Sequence, residues 1–238
     1  MMERPAAQAR IAGACYLVTI FAGAFAEFFS RDSLTVSGNA AATAHNIIVH
    51  ETLFRFGLAA DLVMLAAYLG VTWLLFVLLK PVSKNISGLA ALFSLLGIAV
   101  VAANSINHAA VLVFLKAQTP ALQLDQLNAL AYSFLRLHGQ GYNIASVFFG
   151  FYCALIGGLI LRSTFLPRLV GGLMLLAGIC FLVDSFAIIL SPQFARLLYV
   201  YTSIASLVGE GSLTLWLLLF GVNETRWREQ AGCHGMMA

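Results

Sequence analysis

The chain has 238 residues, of which 61% are hydrophobic and only 10% charged, with a mean hydropathy of +0.92. Soluble domains carry about a quarter charged residues, so this composition excludes one and points to an all-α, polytopic membrane protein. A formal charge of +3, scattered along the chain, excludes a nucleic-acid partner; the four cysteines, Cys15, Cys153, Cys180 and Cys233, stand singly without metal-type spacing.

Hydropathy predicts a six-helix transmembrane bundle with spans at about 11–30, 53–79, 86–115, 140–161, 169–190 and 199–222, followed by a short cytoplasmic tail at 223–238 that should fray. Residues 1–222 are expected to form one transmembrane domain. In span one, Ala24-Phe25-Ala26 has the form of a signal cleavage site, but the apolar run continues through Phe28 and Phe29 as a span does. Glu27 lies near its far end, in line with Tyr16, Ile20 and Gly23. A polar connection comes next, in which Asn39 is placed to cap a short helix; His45 and His50 on that helix read as solvated.

Span two holds Arg55 near its start and Asp61 two turns further in, carries Trp73 as an interfacial anchor, and stops at Lys80-Pro81. Span three contains Asn104, Asn107 and His108, which at i, i+3 and i+4 leave from one helix face. The long connection from Lys116 to Gln140 repeats Leu124, Leu127, Ala131, Phe134 and Leu135 at helical spacing opposite Asp125, Asn128, Tyr132 and Arg136; this predicts a short interfacial amphipathic helix between spans three and four. His138, Gln140 and Asn143 open span four, where Gly150, Ala154 and Gly158 form a small-residue packing stripe. Span five carries Asp184 and ends at Ser191-Pro192, and span six carries Glu210 in a polar stripe with Tyr199, Ser203, Ser206 and Thr214.

Sorting the cations by side puts Arg4, Arg10, Lys80, Lys84, Arg162, Arg168, Arg226 and Arg228 with the termini, against Arg31, Lys116 and Arg196 on the other side. The positive-inside rule then makes both termini cytoplasmic in a cell membrane. On this topology Glu27, Arg55, Asp61, Asn104, Asn107, His108, His138, Asn143, Asp184 and Glu210 all fall in the outer half or near the middle, predicting an outward-facing polar cluster. A charged residue at mid-helix costs roughly 2.5–3.5 kcal/mol on insertion scales, so such groups must pair or line water. Arg55 reads as a counter-ion to one of the four carboxylates, with a surface pair to Glu51 as the alternative. The amides and imidazole serve equally well as interhelical packing bonds worth about 0.6 kcal/mol each.

Several separated motifs are shared with a known family. They run from Ala9-Arg10-Ile11-Ala12-Gly13 through Glu27, and continue with the stretch Phe54-Arg55-Phe56-Gly57-Leu58-Ala59-Ala60-Asp61-Leu62, Leu137-His138-Gly139 and Val147-Phe148-Phe149-Gly150. Arg162-Ser163-Thr164-Phe165-Leu166-Pro167-Arg168, Val183-Asp184-Ser185-Phe186 and Gly209-Glu210 come after them in order. Across residues 9–221 the chain resembles a bacterial membrane family catalogued as domain of unknown function 4386, which implies a multi-span membrane protein and carries over no activity or site residues.

Three functions fit these residues. The first is binding or transport of a small molecule, ion or lipid headgroup by the polar cluster, with no cofactor. The second is a metal-assisted hydrolase acting on lipid, with His108 and His138 as ligands of a metal such as zinc and a carboxylate as base. No H-E-x-x-H or G-x-S-x-G motif supports it. The third is a structural or regulatory partner of another membrane protein. Whether the chain is an enzyme, and which proteins it meets, is not written in the sequence.

Overall fold

The computed structural model describes residues 4–117 and 121–235, with the side chains of Tyr199, Cys233 and His234 lying outside what it describes. The described residues are helical almost throughout. In chain order they are α1 (Pro5–Ala24) running directly into a π-helical segment (Phe25–Asp32), α2 (Ala40–Val49), α3 (Glu51–Leu79), α4 (Lys84–Leu115), α5 (Leu124–Arg162), α6 (Arg168–Leu190), α7 (Pro192–Leu219) and α8 (Glu224–Gly235). Six of these helical stretches are long and apolar enough to cross a membrane: Pro5–Asp32, Glu51–Leu79, Lys84–Leu115, Leu124–Arg162, Arg168–Leu190 and Val200–Leu219.

The amphipathic stretch expected before span four is helical, and it continues without a break into the span. At 1.5 Å per residue α5 is about 58 Å long, nearly twice a ~30 Å hydrocarbon core, so its first turns extend beyond the apolar part. Asn39 caps as read, accepting from the Ala42 N–H at 2.9 Å, and α6 ends at Leu190 just before Ser191-Pro192; Pro192 itself opens α7, earlier than the expected start of span six. Gly221, with φ at +68°, closes α7 by donating its N–H to Trp216 and Leu217, a left-handed position that a side chain would strain. Of the tail, Glu224–Gly235 is helical, and 236–238 lie outside the described residues. Trp227 of α8 is buried and donates its indole N–H to the Leu78 carbonyl at 2.9 Å, satisfying one of the last carbonyls of α3.

The described residues form two compact units: Met1–Leu17, Ala67–Ile98 and Asn143–Ala238 make one, and Val18–Ala66 and Ala99–Tyr142 the other. Helices α1, α3, α4 and α5 therefore contribute residues to both. In the first unit Tyr16, Leu75, Leu78, Tyr152, Ile156, Met174 and Leu213 are fully buried, and α5 and α6 approach through glycine. A Cβ on Gly178 would lie 2.4 Å from the Ala154 nitrogen, and one on Gly157 would lie 2.4 Å from the Leu175 nitrogen. Gly158, expected in this stripe, faces open space. Steps of four residues drift by about 40° each on a helix of 100° per residue, so Gly150 and Ala154 are continued by Gly157 instead.

In the second unit a core of Leu34, Ile47, Phe54, Val111, Leu112, Ala131 and Leu135 joins α2, the start of α3, the end of α4 and the start of α5. The buried polar residues of this unit lie among the same elements.

Candidate functional site

Asp61 is the centre of the second unit's polar cluster and is completely buried on α3. Its Oδ2 accepts from Nη1 of Arg31, and its Oδ1 accepts from the Tyr142 hydroxyl at 2.8 Å. Arg31, only 5% exposed, also donates from Nε and Nη2 to Oε2 of Glu27 at 3.0 and 2.6 Å. Its guanidinium carbon stands 5.4 Å from the centre of the Tyr142 ring. The π-helical segment carries both Glu27 and Arg31 and is held against α3 by Ser30, whose hydroxyl donates to the Leu53 carbonyl at 3.1 Å. Gly57 makes room for that approach, since a Cβ there would fall 2.1 Å from Ser30 Oγ.

Two imidazoles flank the same carboxylate oxygen. His108 Nδ1 lies 4.0 Å and His138 Nε2 3.8 Å from Asp61 Oδ2, and both rings are about 1% exposed. The opposite nitrogen of each ring meets a backbone carbonyl: His108 Nε2 faces Phe54 O at 3.1 Å, and His138 Nδ1 faces Asn104 O at 3.2 Å. A carbonyl only accepts, so His108 Nε2 carries a proton and donates it; His138 Nδ1, which also lies 3.3 Å from Asn104 Nδ2, does the same in the tautomer that satisfies the Asn104 carbonyl. The nitrogens aimed at Asp61 then present lone pairs, and they are buried with no hydrogen-bond partner. One ligand atom from each of Asp61, His108 and His138 lies within 4.8 Å of the others, a grouping able to hold a metal ion.

Asn104 and Asn107 support this arrangement. Asn104 Nδ2 donates to the His138 carbonyl at 2.7 Å, and its Oδ1 accepts from Asn107 at 2.9 Å. Gly141 leaves space for that amide, because a Cβ there would sit 2.2 Å from Asn104 Oδ1. The Phe54 ring lies tilted against His108 with ring centres 4.2 Å apart, closing the cluster on its apolar side.

The remaining expected residues lie elsewhere. Arg55 is not the counter-ion of a buried carboxylate. It is exposed and bonds Glu51 at 2.8 Å, one helical turn before it, while Arg31 takes the counter-ion role. Asn143, Asp184 and Glu210 belong to the first unit. Asn143 is half-buried; Asp184 accepts from Thr202 at 3.2 Å, and Glu210 accepts from the Tyr16 hydroxyl at 2.8 Å with Cys153 Sγ at 3.7 Å. Sequence reasoning missed Arg31 and Tyr142. The signal for each was present, Arg31 four residues after Glu27 and Tyr142 four after His138, both one helical turn from a residue already singled out.

These features define a multi-pass helical membrane protein, in contact with the lipid bilayer, that encloses a buried polar cluster. The chain belongs to the family described as Domain of unknown function (DUF4386), which matches residues 11–221. It is also similar to an uncharacterized protein of Archaeoglobus fulgidus, 30% identical over 147 residues that cover 62% of this chain and 72% of the relative. No solved structure matches it.

Proposed function

We propose that this protein binds an ion, and that Asp61, His108 and His138 hold a divalent transition-metal cation of the zinc class. The observation that carries this reading is the pair of partnerless imidazole nitrogens directed at one carboxylate oxygen. Lone pairs facing an anion in a buried site repel, and an unpaired buried polar group costs about 1–3 kcal/mol. A proton relieves one nitrogen; a metal ion relieves both. Histidine ligands characteristically donate their other ring N–H to a carbonyl or carboxylate, which is the arrangement of both rings here. Tetrahedral zinc with bonds of about 2.0–2.1 Å places neighbouring ligand atoms roughly 3.3 Å apart, so gaps of 3.8 and 4.0 Å close with small side-chain shifts. Arg31 can yield Asp61 Oδ2, because it keeps two bonds to Glu27.

Metal analysis of the purified protein, loaded with zinc and then desalted, is expected to give about one equivalent per chain. His108→Ala and His138→Ala should each lower affinity by at least about 10–100-fold, the loss typical even of outer-shell partners. Wild-type protein that retains no more metal than the doubly substituted chain would refute the site.

A three-ligand set also leaves a coordination position for water or substrate, as catalytic zinc sites do, and this favours metal-assisted lipid hydrolysis as the second reading. Loss of lipid-ester hydrolysis in the same two variants is its test.

For topology we propose that both termini face the cytoplasm. The cations near the termini and in the two short turns support it, and with Arg31 withdrawn into a buried ion pair the opposing side keeps fewer free positive charges. Single cysteines introduced at Ser83 and at exposed Thr164 should be protected from a membrane-impermeant thiol reagent in intact cells, whereas one at Gly38 should react.

A further inference from the structure

In the second unit α3 and α4 leave an open groove of about 550 Å³ between them. Ala59 and Ala109 provide its small residues and Leu58, Leu62, Leu112 and Val113 most of its apolar lining, while His108 borders it from the polar cluster. One end differs from the rest. Arg55 and Lys116 line it together, tied by Glu51, whose Oε1 accepts from Arg55 Nε at 2.8 Å and from Lys116 Nζ at 2.6 Å. From Lys116 to Ala109 along α4, and from Arg55 to Leu62 along α3, the groove runs seven residues, about 10 Å at the helical rise. It therefore has a cationic head and an apolar trough two turns long.

Leu62 and Val113 are 52% and 66% exposed, and apolar residues exposed on membrane-spanning helices face lipid. Two cations against one carboxylate leave one formal positive charge at the head. Among the described residues Glu51 engages Nε of Arg55 and one Nζ proton of Lys116, which leaves both Nη groups and two ammonium protons to donate. That count matches the single negative charge of a phosphodiester and its acceptor oxygens.

We propose that the α3–α4 groove binds an anionic phospholipid, its phosphate held by Arg55 and Lys116 and one acyl chain lying along Ala59, Leu62, Ala109 and Leu112. A zwitterionic lipid carries the same phosphate but adds a cation that cancels the charge match. This site stands beside the metal reading and shares the His108 and Phe54 wall with it.

The test uses the full chain reconstituted in vesicles of equal phosphatidylglycerol and phosphatidylcholine, followed by detergent extraction and quantification of retained lipid by native mass spectrometry. Wild-type protein is expected to retain phosphatidylglycerol about tenfold over phosphatidylcholine, which corresponds to about 1.4 kcal/mol. Lys116→Gln, a change at a half-exposed side chain that folding should tolerate, is expected to abolish the preference. Ala109→Phe fills the trough and should remove the retained lipid of both kinds. Equal retention of the two lipids by wild type, or a preference undiminished in Lys116→Gln, overturns the proposal. The metal content of Lys116→Gln should equal that of wild type, so a failed lipid site leaves the metal result standing, and a metal-free wild type leaves the lipid result standing.

Discussion

Arg31→Met is expected to lower the unfolding free energy in detergent by about 3–5 kcal/mol, the usual consequence of removing one partner from a buried ion pair. The physical reason lies in Asp61. It is fully buried, Arg31 is the cation bonded to it, and after the substitution its carboxylate keeps the Tyr142 hydroxyl as a hydrogen-bond donor but no bonded cation among the described residues. Removing the charge at both ends should reverse most of the loss, because a neutral amide at position 61 still accepts from Tyr142 and no longer requires a cation. The double variant Arg31→Met/Asp61→Asn should therefore be markedly more stable than Arg31→Met alone. Arg55→Met provides the comparison: its ion pair is exposed, and such pairs are worth about 0–1 kcal/mol. Thermal and denaturant unfolding with a chelator present measures all three. An Arg31→Met chain no less stable than Arg55→Met would mean that the Asp61 pair does not hold the unit together.

Gly178→Leu should be the most damaging change in the first unit, costing about 1–3 kcal/mol by overpacking and toward the upper end of that range. The three nearest atoms to a Cβ at this position are all backbone, Ala154 N, Gly150 O and Ala154 Cα, at 2.4, 2.7 and 2.8 Å. No rotamer change relieves such a clash; α5 and α6 must separate. Gly158→Leu, on α5 but facing open space, removes a poor helix former without meeting anything and is expected to be neutral or slightly stabilising. Equal melting temperatures for the two variants would show that α5 and α6 do not touch backbone to backbone at Gly178.

The six spans were legible because each requirement for crossing a bilayer, length, apolarity and flanking cations or prolines, is local in sequence. The short capped helix at Ala40–Val49 was legible for the same reason. Partnerships were harder to read. Asp61, His108 and His138 stood out as polar residues in apolar runs, but nothing in their spacing said that all three meet while Asp184 and Glu210 take Thr202 and Tyr16. Arg31 was hidden by its position at a span end, where a cation is ordinarily an interfacial anchor. Arg55 misled for the opposite reason, lying inside the predicted span yet reaching outward to Glu51. A helical wheel assigns direction correctly only while the backbone stays α-helical, and it does not over Phe25–Asp32.

That last departure bears on the family's history. A π-helical turn closes its hydrogen-bonded ring around one more residue than an α-helical turn does. Loss of a single codon between positions 28 and 30 lets the ring tighten to an α-helical one, which takes up the missing residue, so the flanking helices keep their direction. Glu27 and Arg31 would then stand three residues apart instead of four and still share a face. Among relatives, a one-residue gap in this stretch should therefore occur with the acid at position 61 and the histidines beside it retained.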